Sequence, residues 1–180
     1  MKRMTIHIGE MYASREAAMI DTVLGSCIAA CIFDPVNRVG GMNHFLLPCP
    51  CQEDPALARY GEHAMPLLIE RILRLGAREA NLRAKVFGAA SVLRLDETRC
   101  SVPKANERFV RQFLAEHKIP LAAERLGGNL PLKVRMFTGT GKVQTRVIPR
   151  TQLDHVRADE GEHYLVALTR RWRWLEEGVA

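Results

Sequence analysis

No stretch of this chain approaches the roughly 20 consecutive apolar residues that a membrane-crossing helix needs, and its opening, MKRMTIHIGE, contains no apolar signal region. Both absences predict a soluble, cytoplasmic protein. A second paired cysteine cluster is also missing. The chain has 5 cysteines, an odd number without the framework of a small secreted protein, which points to free thiols in a reducing compartment. Cys49-Pro-Cys51 is a lone C-x-C that His44 or His63 would have to complete as a metal site. One C-x-C without a second paired cluster is weak support for a zinc site, so the pair reads as two loop thiols and no metal is expected. The glycine clusters Leu126-Gly127-Gly128-Asn129 and Thr138-Gly139-Thr140-Gly141 match neither G-x-G-x-x-G nor a Walker A loop, so no nucleotide or other cofactor is implied. Internal repeats, low-complexity linkers and nucleic-acid-binding motifs are absent too.

What the chain does have is enough apolar content for a core. Its 180 residues are 47% hydrophobic, which suits one domain spanning residues 1–180, with 150–180 as a C-terminal helical extension. There, His155 to Glu177 carries Tyr164, Leu165, Leu168, Trp172 and Leu175 on one helical face, with Arg170, Arg171 and Arg173 near its end. A formal net charge of +6 favours acidic partners. MTIHIGEMYAS reads as a short strand with His7 on its polar face, followed by a polar connection to Ala18-Met19-Ile20. Helices are expected from Pro55 to Leu75, ended by Gly76, and from Asn106 to His117. Further strands are expected at Ala84–Ala89, Ile119–Ala123, Leu132–Phe137 and Lys142–Ile148. The class is α+β: a single-domain α/β sandwich with a largely antiparallel or mixed sheet and packed helices.

The centre of the chain is Thr22 to Pro48, TVLGSCIAACIFDPVNRVGGMNHFLLP. Two apolar runs, Cys27–Phe33 and Val39–Leu47, have strand length and flank Asp34-Pro35-Val36-Asn37. Asp34 and Pro35 suit positions i and i+1 of a type I turn in a four-residue hairpin loop. That loop pairs Phe33 with Arg38 and, counted outward, sets Cys27 opposite His44, with Cβ atoms about 4.5–5.5 Å apart. A bulge at Gly40-Gly41 would slip the register by one residue. A thiol beside an imidazole is a candidate nucleophile, because the imidazole takes its proton and holds the charge. The competing reading makes Cys27 an inert buried thiol and His44, on one face with Met42 and Leu46, a core histidine. Cys31, on the Cys27 face, reads as packing. Gly25 and Ser26 put flexible backbone beside the thiol, where amides would suit an oxyanion hole.

The blocks LGSC, CIFDP and GGMNHFLLP resemble the signature of the chemoreceptor glutamine deamidases, the CheD family. IHIGE, YGEHAMPLLIERILRLGARE, KVFGAASVL, NERFVRQFL and IPLAAERLGGNLPLKVRMFTGTG extend the resemblance over most of the chain. It implies a cytoplasmic bacterial amidohydrolase that converts specific receptor glutamines to glutamate through a Cys-His pair, here Cys27 and His44. A supporting Thr upstream of the nucleophile falls on Thr22, although the neighbouring Asp21 has the chemistry to orient an imidazole as well. The implied partners are methyl-accepting chemotaxis receptors and a CheC-type phosphatase of the response regulator; receptor methyl esters are a further implied substrate. Cofactors are not implied.

The sequence departs from the family pattern in two places. Ala89 and Ala90 follow Gly88 where consecutive glycines are usual, which would tighten the pocket if that turn approaches substrate. VPKAN, Val102–Asn106, carries Pro103 and Ala105 where a Gly and a basic residue are usual before the Asn. The rival readings are a non-catalytic chemotaxis adaptor, which retention of both Cys27 and His44 opposes, and a basic nucleic-acid-binding protein, which rests on net charge alone.

Overall fold

The computed structural model describes residues 1–49, 57–92 and 102–149. The C-terminal helical extension, Cys51 and Cys100 lie outside these. Among the described residues, nine strands run in the order β1 (Lys2–Thr5), β2 (Met11–Ser14), β3 (Ala18–Leu24), β4 (Ile28–Asp34), β5 (Val39–Phe45), β6 (Arg83–Gly88), β7 (Leu121–Leu126), β8 (Leu132–Phe137) and β9 (Lys142–Val147). Helix α1 (Gly61–Arg74) lies between β5 and β6, and α2 (Val102–Glu116) between β6 and β7. The α+β sandwich expected from the sequence is present, with its strands divided between two mixed sheets. One has the order β1-β3-β8-β9 and the other β2-β5-β4-β6-β7. Of the pairs among these described strands, β1–β3 and β6–β7 are parallel and the others antiparallel.

Three layers follow: the four-stranded sheet, the five-stranded sheet and the two helices. The first core cluster joins Ile28, Ala30 and Ile32 of β4 to Met65, Leu68 and Ile72 of α1 and Val110, Phe113 and Leu114 of α2. The second joins Cys27, Ala29, Cys31, Met42 and Leu46 to Ile20 and Leu24 of β3 and Val134 and Met136 of β8. β4 and β5 are therefore buried at every position, which is why they read as unbroken apolar runs. The outer strands β8 and β9 alternate between more and less buried positions, as a sheet with one solvated face requires.

Some boundaries differ from expectation. The single strand expected within MTIHIGEMYAS is two strands in different sheets, separated by a turn at Gly9 (φ 81°). The helix start expected at Pro55 lies outside the described residues; α1 starts at Gly61, after a 3-10 turn at Leu57–Arg59 and an extended Tyr60, where Leu46 and Leu47 donate to the Arg59 carbonyl and Gly61 donates to that of Leu47. Gly76, at φ 99°, follows the helix end as expected. α2 begins at Val102, so VPKAN forms its first turn.

The hairpin loop is Pro35–Arg38, closed by the pair Asp34↔Val39. Arg38 takes a left-handed conformation, φ 57°. The loop keeps its expected length but sits one residue later, and each such step moves the pairing by two. Ala29 thus faces His44, and Cys27, one step past the ladder, lies level with Leu46. No bulge occurs at Gly40-Gly41, since the ladder runs regularly through Phe33↔Gly40 and Ile32↔Gly41. Those glycines serve packing: a Cβ on Gly40 would stand 2.9 Å from the Thr138 carbonyl oxygen, and one on Gly41 2.7 Å from Ala13 Cβ.

Asp34 fixes the loop. Its Oδ1 accepts from the amides of Val36 (2.8 Å) and Asn37 (2.9 Å), and its Oδ2 from Asn37 Nδ2 (2.7 Å) and the Arg78 amide (2.8 Å). Burial alone would raise its pKa. The donors of Asn37, Arg78 and Val36 outweigh that and hold the carboxyl far below the ordinary range. Because the folded pKa is depressed, this stabilisation is complete above the unfolded value of about 3.9 and is lost as pH falls below it toward the folded pKa. Asp34→Asn should destabilise at neutral pH by roughly 1.5–3 kcal/mol and flatten the acid limb of stability. Urea titrations from pH 7 to pH 2 test this; parallel curves for the two proteins would remove Asp34 from the account.

Candidate active site

The site lies between the sheets, at the end where β4 begins and β5 finishes. Side chains alternate along a strand, so Cys27, Ala29 and Cys31 share the inter-sheet face of β4 with Met42, His44 and Leu46 of β5. The two-residue difference in register preserves that shared face. It makes Cys27 and His44 diagonal neighbours instead of directly opposed ones, a separation that long side chains still span.

From the facing sheet, β3 contributes Thr22. Its Oγ1 lies 2.8 Å from the Ile6 carbonyl oxygen and 2.9 Å from His44 Nδ1. A carbonyl only accepts, so the single hydroxyl proton goes to Ile6, and Thr22 must accept from Nδ1–H. In the neutral ring, Nε2 then carries the lone pair. The His44 backbone is held on both sides, with the Gly9 amide donating to its carbonyl (2.8 Å) and its own amide donating to the Glu10 carbonyl (3.0 Å). The segment Ile6–Glu10 thus fixes both the ring's hydrogen-bond acceptor and its backbone.

Asp21, the other sequence candidate for orienting His44, points to the opposite face of β3. It lies 2.9 Å from Arg3 Nε and 2.7 Å from Arg135 Nε. Burial opposes its ionisation, but the guanidinium groups of Arg135 and Arg3 overcome that and lower its pKa. Cys31 is fully buried, which pushes its thiol far above the usual cysteine range despite the nearby Lys85 charge. It packs, as expected. Cys49 is exposed, and among the described residues no group of three His, Cys, Asp or Glu side chains is arranged to hold a metal ion.

The two segments that depart from the family pattern brace the Cys27 segment. In the turn after β6, the Ala89 amide donates to the Cys27 carbonyl and the Ala90 amide to that of Gly25, each at 2.8 Å. This turn backs the Cys27 loop. From α2, Asn106 Nδ2 donates to the carbonyls of Ser26 (3.1 Å) and Leu46 (2.8 Å). Asn106 matches the Asn of the family pattern, but its spacing in the helix does not show that reach.

Ala89 itself has φ 55°, a left-handed conformation costing a non-glycine residue about 1–2 kcal/mol. Replacing it with Gly would relieve this strain. The change would also lose a buried methyl worth about 0.8 kcal/mol and add unfolded-chain entropy of about 0.4–1 kcal/mol. Ala89→Gly should therefore shift stability by no more than about 1 kcal/mol, whichever sign wins. A loss well beyond that in chemical denaturation would show that the left-handed residue carries no strain.

Fold and site together define a class: a two-sheet α+β protein in which an imidazole and a hydroxyl meet between the sheets, with a buried thiol on the same inter-sheet face. The family model described as "CheD chemotactic sensory transduction" matches residues 46–147, beginning just beyond His44. A protein of Shewanella oneidensis named probable chemoreceptor glutamine deamidase CheD 1 is 45% identical over 161 residues, covering 87% of this chain and 78% of its own. Proteins named probable chemoreceptor glutamine deamidase CheD from Stenotrophomonas maltophilia (46% over 145 residues, 81% and 73% covered) and Xanthomonas campestris pv. campestris (48% over 141, 78% and 71%) are similar. The chain belongs to the CheD family. Among the described residues, no helix is long and apolar enough to cross a membrane.

Proposed function

We propose that this protein hydrolyses glutamine side-chain amides on chemotaxis receptors, with Cys27 as nucleophile, His44 as general base and acid, and Thr22 as the residue that orients the ring. The observation that carries the reading is the Thr22 hydroxyl, which donates to Ile6 and accepts from His44 Nδ1. This leaves Nε2 as the basic nitrogen of a ring on the same face as Cys27.

In the first half-reaction, His44 Nε2 takes the Cys27 proton and Sγ attacks the side-chain carbonyl carbon. The tetrahedral adduct expels its amide nitrogen, which receives the proton from His44 and leaves as ammonia, giving a thioester. In the second, water gives a proton to His44 and attacks the thioester. Collapse releases glutamate, and the proton returns to the thiol. Each proton taken up is given back, so the cycle needs no cofactor. Cys27 has no exposed surface and His44 is 3% exposed, so a receptor side chain reaches the thiol only through local opening around it.

A glutamyl methyl ester would give the same thioester with methanol as leaving group, which extends the proposal to receptor ester hydrolysis. The family resemblance adds a CheC-type phosphatase as a partner and the cytoplasm as the location. The test is to incubate the protein with recombinant chemoreceptor cytoplasmic segments and map amide-to-acid conversion by peptide mass spectrometry. Conversion at discrete glutamines is expected. Receptor segments that bind but stay unconverted would favour the adaptor reading instead.

A further inference from the structure

Cys27 and His44 lie on different strands, and their alignment depends on what joins the loop before β4 to the end of β5. Asn106 is completely buried, and its one amide nitrogen donates to both sides: to the carbonyl of Ser26, next to the thiol, and to that of Leu46, the residue level with it. Both acceptors are carbonyls, so the orientation of the amide is fixed and both Nδ2 hydrogens are used. We propose that Asn106 is a positioning residue for the reaction, a clamp from α2 that sets the distance between the Cys27 loop and the His44 strand. The inference rests on the reading of Cys27 and His44 as the catalytic pair.

The physical argument is one of leverage. Ladder pairing between β4 and β5 ends at Ile28↔Phe45, so the Cys27 segment lies beyond the last paired residue. Its carbonyls are held instead by Asn106 and by the turn after β6. Without the clamp, the carbonyls of Ser26 and Leu46 would each lose a buried hydrogen bond, and the loop would shift to compensate. Proton transfer is sensitive to such movement, with displacement of a reacting group by about 1 Å costing on the order of 100-fold in rate.

The experiment compares wild type, Asn106→Ala, Asn106→Ser and Cys27→Ala on one receptor cytoplasmic segment. Ile72→Val, in the core between sheet and helices and away from the site, controls for lost stability. Each protein is assayed well below its own melting temperature. The clamp predicts that Asn106→Ala lowers kcat by about 10- to 100-fold with KM changed less than about threefold. Asn106→Ser, which keeps one donor, should recover part of the loss, and Ile72→Val should keep wild-type kcat. A folded Asn106→Ala enzyme within about twofold of wild-type kcat would overturn the proposal, as would an equal loss in Ile72→Val. Failure of both Asn106 variants to fold would also overturn it by making the residue a general structural one. Undiminished conversion by Cys27→Ala would instead refute the underlying catalytic reading.

Discussion

Cys27→Ala and His44→Ala are each expected to reduce glutamine conversion on a receptor segment by about 1,000-fold or more, and the double variant by little beyond either. In the proposed mechanism the two side chains act as one proton-transfer unit. Without the thiol there is no acyl-enzyme, and without the imidazole neither the thiolate nor the departing ammonia is served. Thr22→Val should be milder, about 10- to 100-fold, because it removes only the acceptor that fixes the ring's tautomer and orientation. Thr22→Ser, which keeps the hydroxyl, should recover most of the rate. Asp21→Asn should leave the chemistry nearly intact, since Asp21 faces Arg3 and Arg135 on the other side of β3. Single-turnover conversion followed by mass spectrometry separates these cases. Full activity of Cys27→Ala would remove the nucleophile, and strong loss in Asp21→Asn with Thr22→Val unaffected would exchange the two neighbours' roles.

Gly88→Ala is expected to be the most damaging single-atom addition near the site. Gly88 has φ 116°, and a Cβ placed there would stand 2.0 Å from the Cys27 carbonyl oxygen. Neither obstacle yields cheaply, because the backbone conformation excludes L side chains and the obstructing atom belongs to the main chain. The expected loss is about 3 kcal/mol or more, and the displaced Cys27 carbonyl would also break its hydrogen bond with Ala89. Stability and turnover should therefore fall together. Urea denaturation measures the first and receptor conversion the second. A Gly88→Ala protein within about 1 kcal/mol of wild type would show that the turn has room to move. The contrast with Ala89→Gly is a contrast of environment, since one position has no space for a methyl and the other already holds one.

The sequence by itself determined the local features. Two apolar runs around an Asp-Pro turn specify a hairpin. With a side-chain period of two, Cys27 and His44 share a face in any register differing by an even step, which is why their proximity was legible although the loop sits one residue later than expected. The helical faces of α1 and α2 were equally readable, since Leu68, Ile72, Val110 and Leu114 recur at helical spacing and are buried. Tertiary structure alone decided three things. Asp21 and Thr22 alternate along β3, so only one can point between the sheets, and packing against the five-stranded sheet turns Thr22 inward. The division of strands into two sheets depends on pairings such as β1 with β3 and β3 with β8, which leave no local periodic signal. Asn106 reaches Ser26 and Leu46 across 80 and 60 positions of chain, a contact that exists only because α2 docks over the end of the hairpin.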